Sequence, residues 1–235
     1  MSILIQAAAR WLYPPTCLLC GAPGSEGMDL CPGCLADLPR NRPACPRCAL
    51  PLPPGGVAGC PCGRCQRRPP PFDRCQAPFL YGPPLDGLIT GLKYGARLAH
   101  ARVLGELLAR HVEMARPPDL LIPVPLHPRR LRERGFNQAL EMARVVARRA
   151  ALRLAPATCM RVRDTPHQTG LEARVRRRNL RGAFVAAPRV RGLRLAVIDD
   201  VVTTGATAEA VTLACRRAGA AGVEVWAAAR TPPPG

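Results

Sequence analysis

Leu195-Ala-Val-Ile-Asp-Asp-Val-Val-Thr-Thr-Gly-Ala-Thr207 decides how this chain is read: an apolar run suited to a buried strand, two acids, then a short turn that opens a helix over 206–218. A helix start offers unbonded N–H groups and the positive end of its dipole. With the hydroxyls of Thr203, Thr204 and Thr207 beside Gly205 and Ala206, it can surround one phosphate. Two carboxylates next to an anion site would repel it, so Asp199 and Asp200 suit another partner: sugar hydroxyls, such as a ribose diol, or a magnesium-bound ligand. Thr-Gly-Ala-Thr alone would equally fit a helix capped by threonine. The acid pair at the end of an apolar strand turns the reading to a phosphate–sugar site. No Gly-Lys-Ser/Thr follows, so this is not a P-loop, and no Gly-x-Gly-x-x-Gly signals a dinucleotide fold.

Outward from this stretch, strands and helices alternate. Residues 74–81 alternate loosely like a strand, and 85–94 and 98–114 have helical apolar spacing. An apolar strand at 119–126 runs into a proline-bounded turn, an amphipathic helix follows at 136–151, and strands are expected at 192–200 and 222–229. This order predicts an α/β fold with a parallel sheet and a site at the carboxyl ends of its strands.

The 235 residues suffice for one good-sized domain and a small one. Ten of the twelve cysteines fall between Cys17 and Cys75, which marks out an N-terminal module. Residues 1–13 carry a helical apolar stripe without the basic start and long apolar run of a signal peptide, and are too short to span a bilayer. A reducing, cytoplasmic setting is therefore expected, where cysteines bind metal rather than pair. Cys17-x-x-Cys20 and Cys31-x-x-Cys34 supply four thiolates for one zinc. Cys45, Cys48, Cys62 and Cys65 supply a second set, with Cys60 able to replace Cys62, and Cys60 and Cys75 left over. With few apolar residues here, metal would supply most of the folding energy, on the order of 10 kcal/mol per site. A proline-stiffened linker at 67–72 separates this double zinc ribbon, residues 1–70, from a second domain at 71–235.

Formal charge is +18, carried almost wholly by arginine, since Lys93 is the only lysine. A field of this sign attracts phosphate esters and nucleic acid. Residues 1–75 hold eight arginines against four acids, and two four-thiolate zinc sites would cancel that excess. The ribbon is thus expected to be structural or a partner-docking unit, with the polyanion grip in the later domain. Two basic runs stand out there, Arg129-Arg-Leu-Arg-Glu-Arg134 and Arg174-Val-Arg-Arg-Arg178. Low aromatic content, 4%, counts against a base-stacking platform.

Val197-Ile-Asp-Asp-Val-Val-Thr-Thr-Gly-Ala-Thr207 resembles the phosphoribosyl-pyrophosphate (PRPP) signature of type I phosphoribosyltransferases. Together with the cysteine pairs, Leu92-Lys-Tyr94, Pro123-Val-Pro-Leu-His127, Arg132-Glu-Arg-Gly-Phe-Asn-Gln138, Thr165-Pro-His-Gln-Thr-Gly-Leu171 and Arg178-Asn-Leu-Arg-Gly-Ala-Phe184, it makes the chain similar to the ComF family. Those proteins are phosphoribosyltransferase-like, with an N-terminal double zinc ribbon, and are associated with competence for DNA uptake.

The resemblance implies a type I phosphoribosyltransferase fold in which 203–207 hold the 5-phosphate, Asp199 and Asp200 the ribose hydroxyls, and Val124 and Pro125 a pyrophosphate turn aided by magnesium. His127 departs from the acidic or cationic residues often found in that turn. Lys93 is a candidate pyrophosphate contact, and Gln168, Arg174 and Arg178 candidate contacts of a loop closing over PRPP. The implied reaction is magnesium-dependent displacement of pyrophosphate from PRPP, serving DNA uptake or nucleotide metabolism and involving DNA-processing partners. The alternative is a non-catalytic module that senses PRPP or binds single-stranded DNA in the cytoplasm.

Overall fold

The computed structural model describes residues 14–25, 27–53, 55–57, 59–164 and 178–232. The expected helix at 1–13, Gln168 and Arg174 lie outside them. In chain order the described helices are α1 (Pro32–Ala36), α2 (Gly63–Arg67), α3 (Leu85–Gly95), α4 (Leu98–His111), α5 (Pro128–Arg134), α6 (Gln138–Ala150) and α7 (Ala206–Arg217). The strands are β1 (Arg74–Gln76), β2 (Phe79–Leu80), β3 (Leu120–Pro123), β4 (Cys159–Arg161), β5 (Phe184–Ala186), β6 (Arg194–Val202) and β7 (Gly222–Arg230).

β6 is central, with β3 on one side and β7 on the other, while β1 and then β2 line the far edge of β7. Every pairing in this sheet is parallel. β6 and β7 read as near-continuous apolar runs because both faces of a parallel sheet are covered. Leu195, Val197, Val223 and Val225 face the core under α7, whereas Ala196, Ile198, Trp226 and Ala228 face α3, α4 and α6. The strand extends further than its apolar run suggests. It passes through the acid pair to Val202, because Asp199 stands opposite Ala227 and Val201 opposite Ala229. The two-stranded antiparallel ribbon β4–β5, which lies over α7, was not apparent from periodicity because each strand spans only three residues.

α4 and α6 cross closely at Gly105, where an added Cβ would sit 2.7 Å from Val145 Cβ and 2.9 Å from the Met142 carbonyl oxygen. Among the described residues, no helix is long and apolar enough to cross a membrane.

The cysteine-rich segment packs into both cores rather than standing apart. Cys17, Met28, Leu30 and Leu38 join the core of α3, α4 and α6, while Cys45, Cys48, Ala49 and Cys65 join the one beneath α7. The segment therefore straddles the β1–β2 edge, which covers strand groups that would otherwise be open to pairing. Leu80 N donates to the Pro39 carbonyl at 2.8 Å and Cys75 N to the Arg47 carbonyl at 3.0 Å. Buried Asn41 gives its Nδ2 to the carbonyls of Ala49 and Ala77 at 2.8 and 2.9 Å. Metal is thus not alone in ordering the segment, since its few apolar residues are buried in the larger cores.

Candidate phosphate and carboxylate site

The sheet brings Asp199 and Asp200 to its carboxyl end with relative exposures of only 8% and 3%. Asp199 Oδ1 accepts the Asp200 backbone N–H at 2.9 Å, which orients the first carboxylate. Burial, and then the neighbouring Asp200 charge, push Asp199 well above the usual carboxylate range. From the last turn of α3, Lys93 places its Nζ 2.6 Å from Asp200 Oδ2. Burial alone would lower the Lys93 pKa, but Asp200 outweighs it and the ammonium is held above its ordinary value. The lone lysine is therefore a partner of the acid pair.

Beyond the acids, Thr203, Thr204 and Gly205 turn the chain into α7. Gly205 has φ +83°, a left-handed conformation that only glycine adopts cheaply. Thr204 Oγ1 accepts the Ala206 N–H at 3.4 Å, and Thr207 lies in the first helical turn. Two arginines brace this turn from outside. Arg230, the last residue of β7, donates to the Val202 carbonyl at 2.8 Å and to that of Thr203, while Arg64 of α2 donates to the Thr204 carbonyl at 3.3 Å. Sequence reasoning missed both. The only signal for Arg230 was a charged residue closing the apolar strand Val-Trp-Ala-Ala-Ala.

Val124 follows β3 directly and extends its pairing, its N–H donating to the Ile198 carbonyl at 2.9 Å. Its own carbonyl accepts Asn137 Nδ2 at 3.0 Å, and Pro125 follows, so this turn stands beside the acid pair. His127 caps α5, its Nδ1 accepting the Arg129 N–H at 3.4 Å. Of the basic run at 129–134, Arg129 pairs with Glu133 at 2.9 Å and Asp164 at 3.4 Å. Arg130 and Arg134 instead join Lys93 and Tyr94 around a recess of about 290 Å³. Arg178 lies elsewhere: with Arg68, Arg181 and Arg217 it lines a cavity of about 560 Å³ along α7 that also reaches Ala206 and Glu209.

The cysteines form two sets of four. Cys17, Cys20, Cys31 and Cys34 are one and Cys45, Cys48, Cys62 and Cys65 the other, with the sulfurs of each set within 4.8 Å of one another. Cys62 rather than exposed Cys60 completes the second set. Four thiols with both CxxC turns in place match tetrahedral zinc. Burial works against the thiolate at Cys45, but the N–H groups of Cys62, Cys48 and Arg47 prevail and bring it down to about 7. At Cys17 the same balance, with N–H groups of Cys31, Cys20 and Leu19, gives about 6. Burial pushes the Cys75 thiol up to about 12, so it stays neutral. Cys159 and Cys215 lie buried in the core beneath α7.

A parallel sheet bearing an acid pair before a glycine turn, with a double four-cysteine module on its edge, defines an α/β protein that carries two four-cysteine zinc-binding sites. Residues 8–66 match the family model described as a double zinc ribbon domain. The DNA utilization protein YhgH of Salmonella typhi is 38% identical over 225 residues, 93% of this chain and 98% of that protein. Competence protein F of Haemophilus influenzae is 31% identical over 210 residues, 86% of this chain and 90% of that one. The chain belongs to the ComF family, which includes these proteins. Among solved structures, the glutamine PRPP amidotransferase from B. subtilis complexed with ADP and GMP is similar at 20% identity and a TM-score of 0.36, over 53% of this chain and a quarter, 25%, of that one.

Proposed function

We propose that this protein binds PRPP with magnesium and displaces its pyrophosphate, acting in the cytoplasm on DNA or nucleotides during DNA uptake or use. One observation carries the reading: a buried acid pair closed by Lys93 stands directly before a braced glycine turn at a helix start. Asp199 and Asp200 suit the ribose hydroxyls, and 203–207 suit the 5-phosphate. The turn at Val124 and Pro125 and the recess of Lys93, Arg130 and Arg134 suit a pyrophosphate. Magnesium would neutralise that leaving group, and the chain's own contribution is positioning and electrostatic stabilisation. Arg178, with Gln168 and Arg174, is assigned to contacts made as the site closes. The names of the relatives, DNA utilization protein and competence protein F, support the DNA-related role.

Calorimetry of zinc-loaded protein with PRPP and magnesium tests binding. We expect saturable binding that Asp200→Asn weakens, and no heat from the wild type would refute the reading. Pyrophosphate release in the presence of bases, nucleosides and oligonucleotides then identifies the acceptor.

A second reading, a PRPP-sensing or single-stranded DNA-binding module without turnover, draws on the arginine-lined cavity of Arg68, Arg178, Arg181 and Arg217. Binding of an oligonucleotide with steep salt dependence and no pyrophosphate release would favour it.

A further inference from the structure

We infer that Arg230 and Arg64 join the second four-cysteine site to the turn at 203–205, so that zinc at Cys45, Cys48, Cys62 and Cys65 holds this turn in its anion-binding shape. Arg230 has a relative exposure of 3% at the end of an otherwise apolar strand, and a charge in such a place needs partners. The partners are main-chain carbonyls on both sides of one seam. Nε donates to the carbonyl of Cys48, a residue of the second cysteine set, at 3.1 Å. Nη1 donates to the carbonyls of Val202 at 2.8 Å, Thr231 at 3.0 Å and Thr203.

Arg64 makes a second strut. It lies in α2 between Cys62 and Cys65, and its guanidinium donates to the Thr204 carbonyl and to Glu209 Oε1, both at 3.3 Å. Glu209 in turn belongs to the first turn of α7. Three successive carbonyls, from Val202 to Thr204, thus accept from arginines that the second cysteine segment either carries, as with Arg64, or holds through the Cys48 carbonyl, as with Arg230. In a trans peptide the N–H of the next residue points opposite to the carbonyl. Holding the Thr203 and Thr204 carbonyls outward therefore aims the N–H groups of Thr204 and Gly205 inward, toward the space before α7. Cys48, Cys65, Arg64, Thr204, Gly205 and Arg230 line one recess of about 330 Å³, so the metal ligands and the turn share a wall. The first cysteine set packs against the other face of the sheet and lacks this connection among the described residues.

Coupling between two sites is reciprocal: if zinc favours anion binding, an anion at the turn must slow loss of that zinc by the same factor. This inference rests on 203–207 being the phosphate turn, and the test keeps the two ideas apart. Hydrogen exchange at 203–206 would be measured on full-length wild type, on Arg64→Met, on Arg230→Met, and on Cys62→Ser and Cys20→Ser, which disable the second and first metal sites respectively. Zinc release to a chelator would be followed with and without PRPP and magnesium.

We expect Arg64→Met, whose side chain is 42% exposed and so replaceable without unfolding, to retain both zinc ions and to speed exchange at 203–206 by roughly tenfold. Cys62→Ser should do at least as much and Cys20→Ser nothing. PRPP should slow release of the second zinc in wild type by about the same factor, and far less in Arg64→Met. Unchanged exchange in Arg64→Met, Arg230→Met and Cys62→Ser would overturn the inference, as would PRPP binding that leaves zinc release unaltered. Absence of PRPP binding with metal-dependent exchange intact would sink the proposed function and leave the strut standing.

Discussion

Lys93 Nζ stands 2.6 Å from Asp200 Oδ2, so the chain's only lysine closes over the buried acid pair. The two side chains retain 23% and 5% of their exposure, which makes this a largely buried pair. Removing one partner leaves the other charge stranded. Lys93→Met should destabilise the protein by about 3 kcal/mol, and Lys93→Met combined with Asp200→Asn should recover most of that loss. Urea denaturation of the three variants checks it. Full additivity of the single effects would show that the contact is not an energetic pair.

Asp199 offers a pH-dependent prediction. Its pKa in the folded protein is raised, so its protonated form stabilises the fold at pH below the unfolded value near ~4, and that contribution is lost as pH rises through the folded value. Above the unfolded value, keeping this buried carboxyl therefore costs stability, because the unfolded chain ionises more readily than the folded one. Asp199→Asn, which keeps the oxygen that accepts the Asp200 N–H, should raise stability by about 1 kcal/mol near neutrality and by nothing in acid. PRPP binding should fall in the same variant. Thermal unfolding across pH, with wild type and variant parallel throughout, would contradict this account.

Zinc stoichiometry separates the cysteines. Wild type and Cys60→Ser should each bind two zinc ions per chain, and Cys62→Ser one, because Cys62 and not Cys60 lies with Cys45, Cys48 and Cys65. Elemental analysis of reduced protein measures it.

Gly105 is a packing prediction away from the site. A methyl group there meets Val145 Cβ and the Met142 carbonyl inside contact distance, so Gly105→Ala should cost about 2 kcal/mol despite the better helix propensity of alanine. A rise in melting temperature would mean that α4 and α6 separate more easily than their contact suggests.

For the arginine-lined cavity, Arg178→Ala with Arg181→Ala should weaken oligonucleotide binding and lower its salt slope by about 2 if both side chains meet phosphates. An unchanged slope in a salt titration would place the grip elsewhere.

Periodicity and turn chemistry make much of the fold legible in the sequence. Helices expected at 85–94, 98–114 and 136–151 appear as Leu85–Gly95, Leu98–His111 and Gln138–Ala150, because each carries its apolar face and its breakers within the segment. The last strand, expected at 222–229, is Gly222–Arg230. The ribbon β4–β5 was not legible, since three-residue strands show no period and their pairing joins residues some 25 apart. The expected strand at 74–81 is two short strands against one neighbour, β7, a break that only the pairing reveals.

The sequence by itself determined what local order can encode: the alternation of strands and helices, the CxxC knuckles, and the acid–threonine–glycine turn, each a matter of spacing along the chain. Only the tertiary structure decided which sulfur completes the second cysteine set, that Lys93 belongs to Asp200, and that Arg230 ties Cys48 to Thr203. These choices join residues up to 182 positions apart, as Arg230 and Cys48 are. Such contacts depend on which sheet edge the ribbon covers and which core its apolar residues enter, and neither is written in any single stretch of the chain.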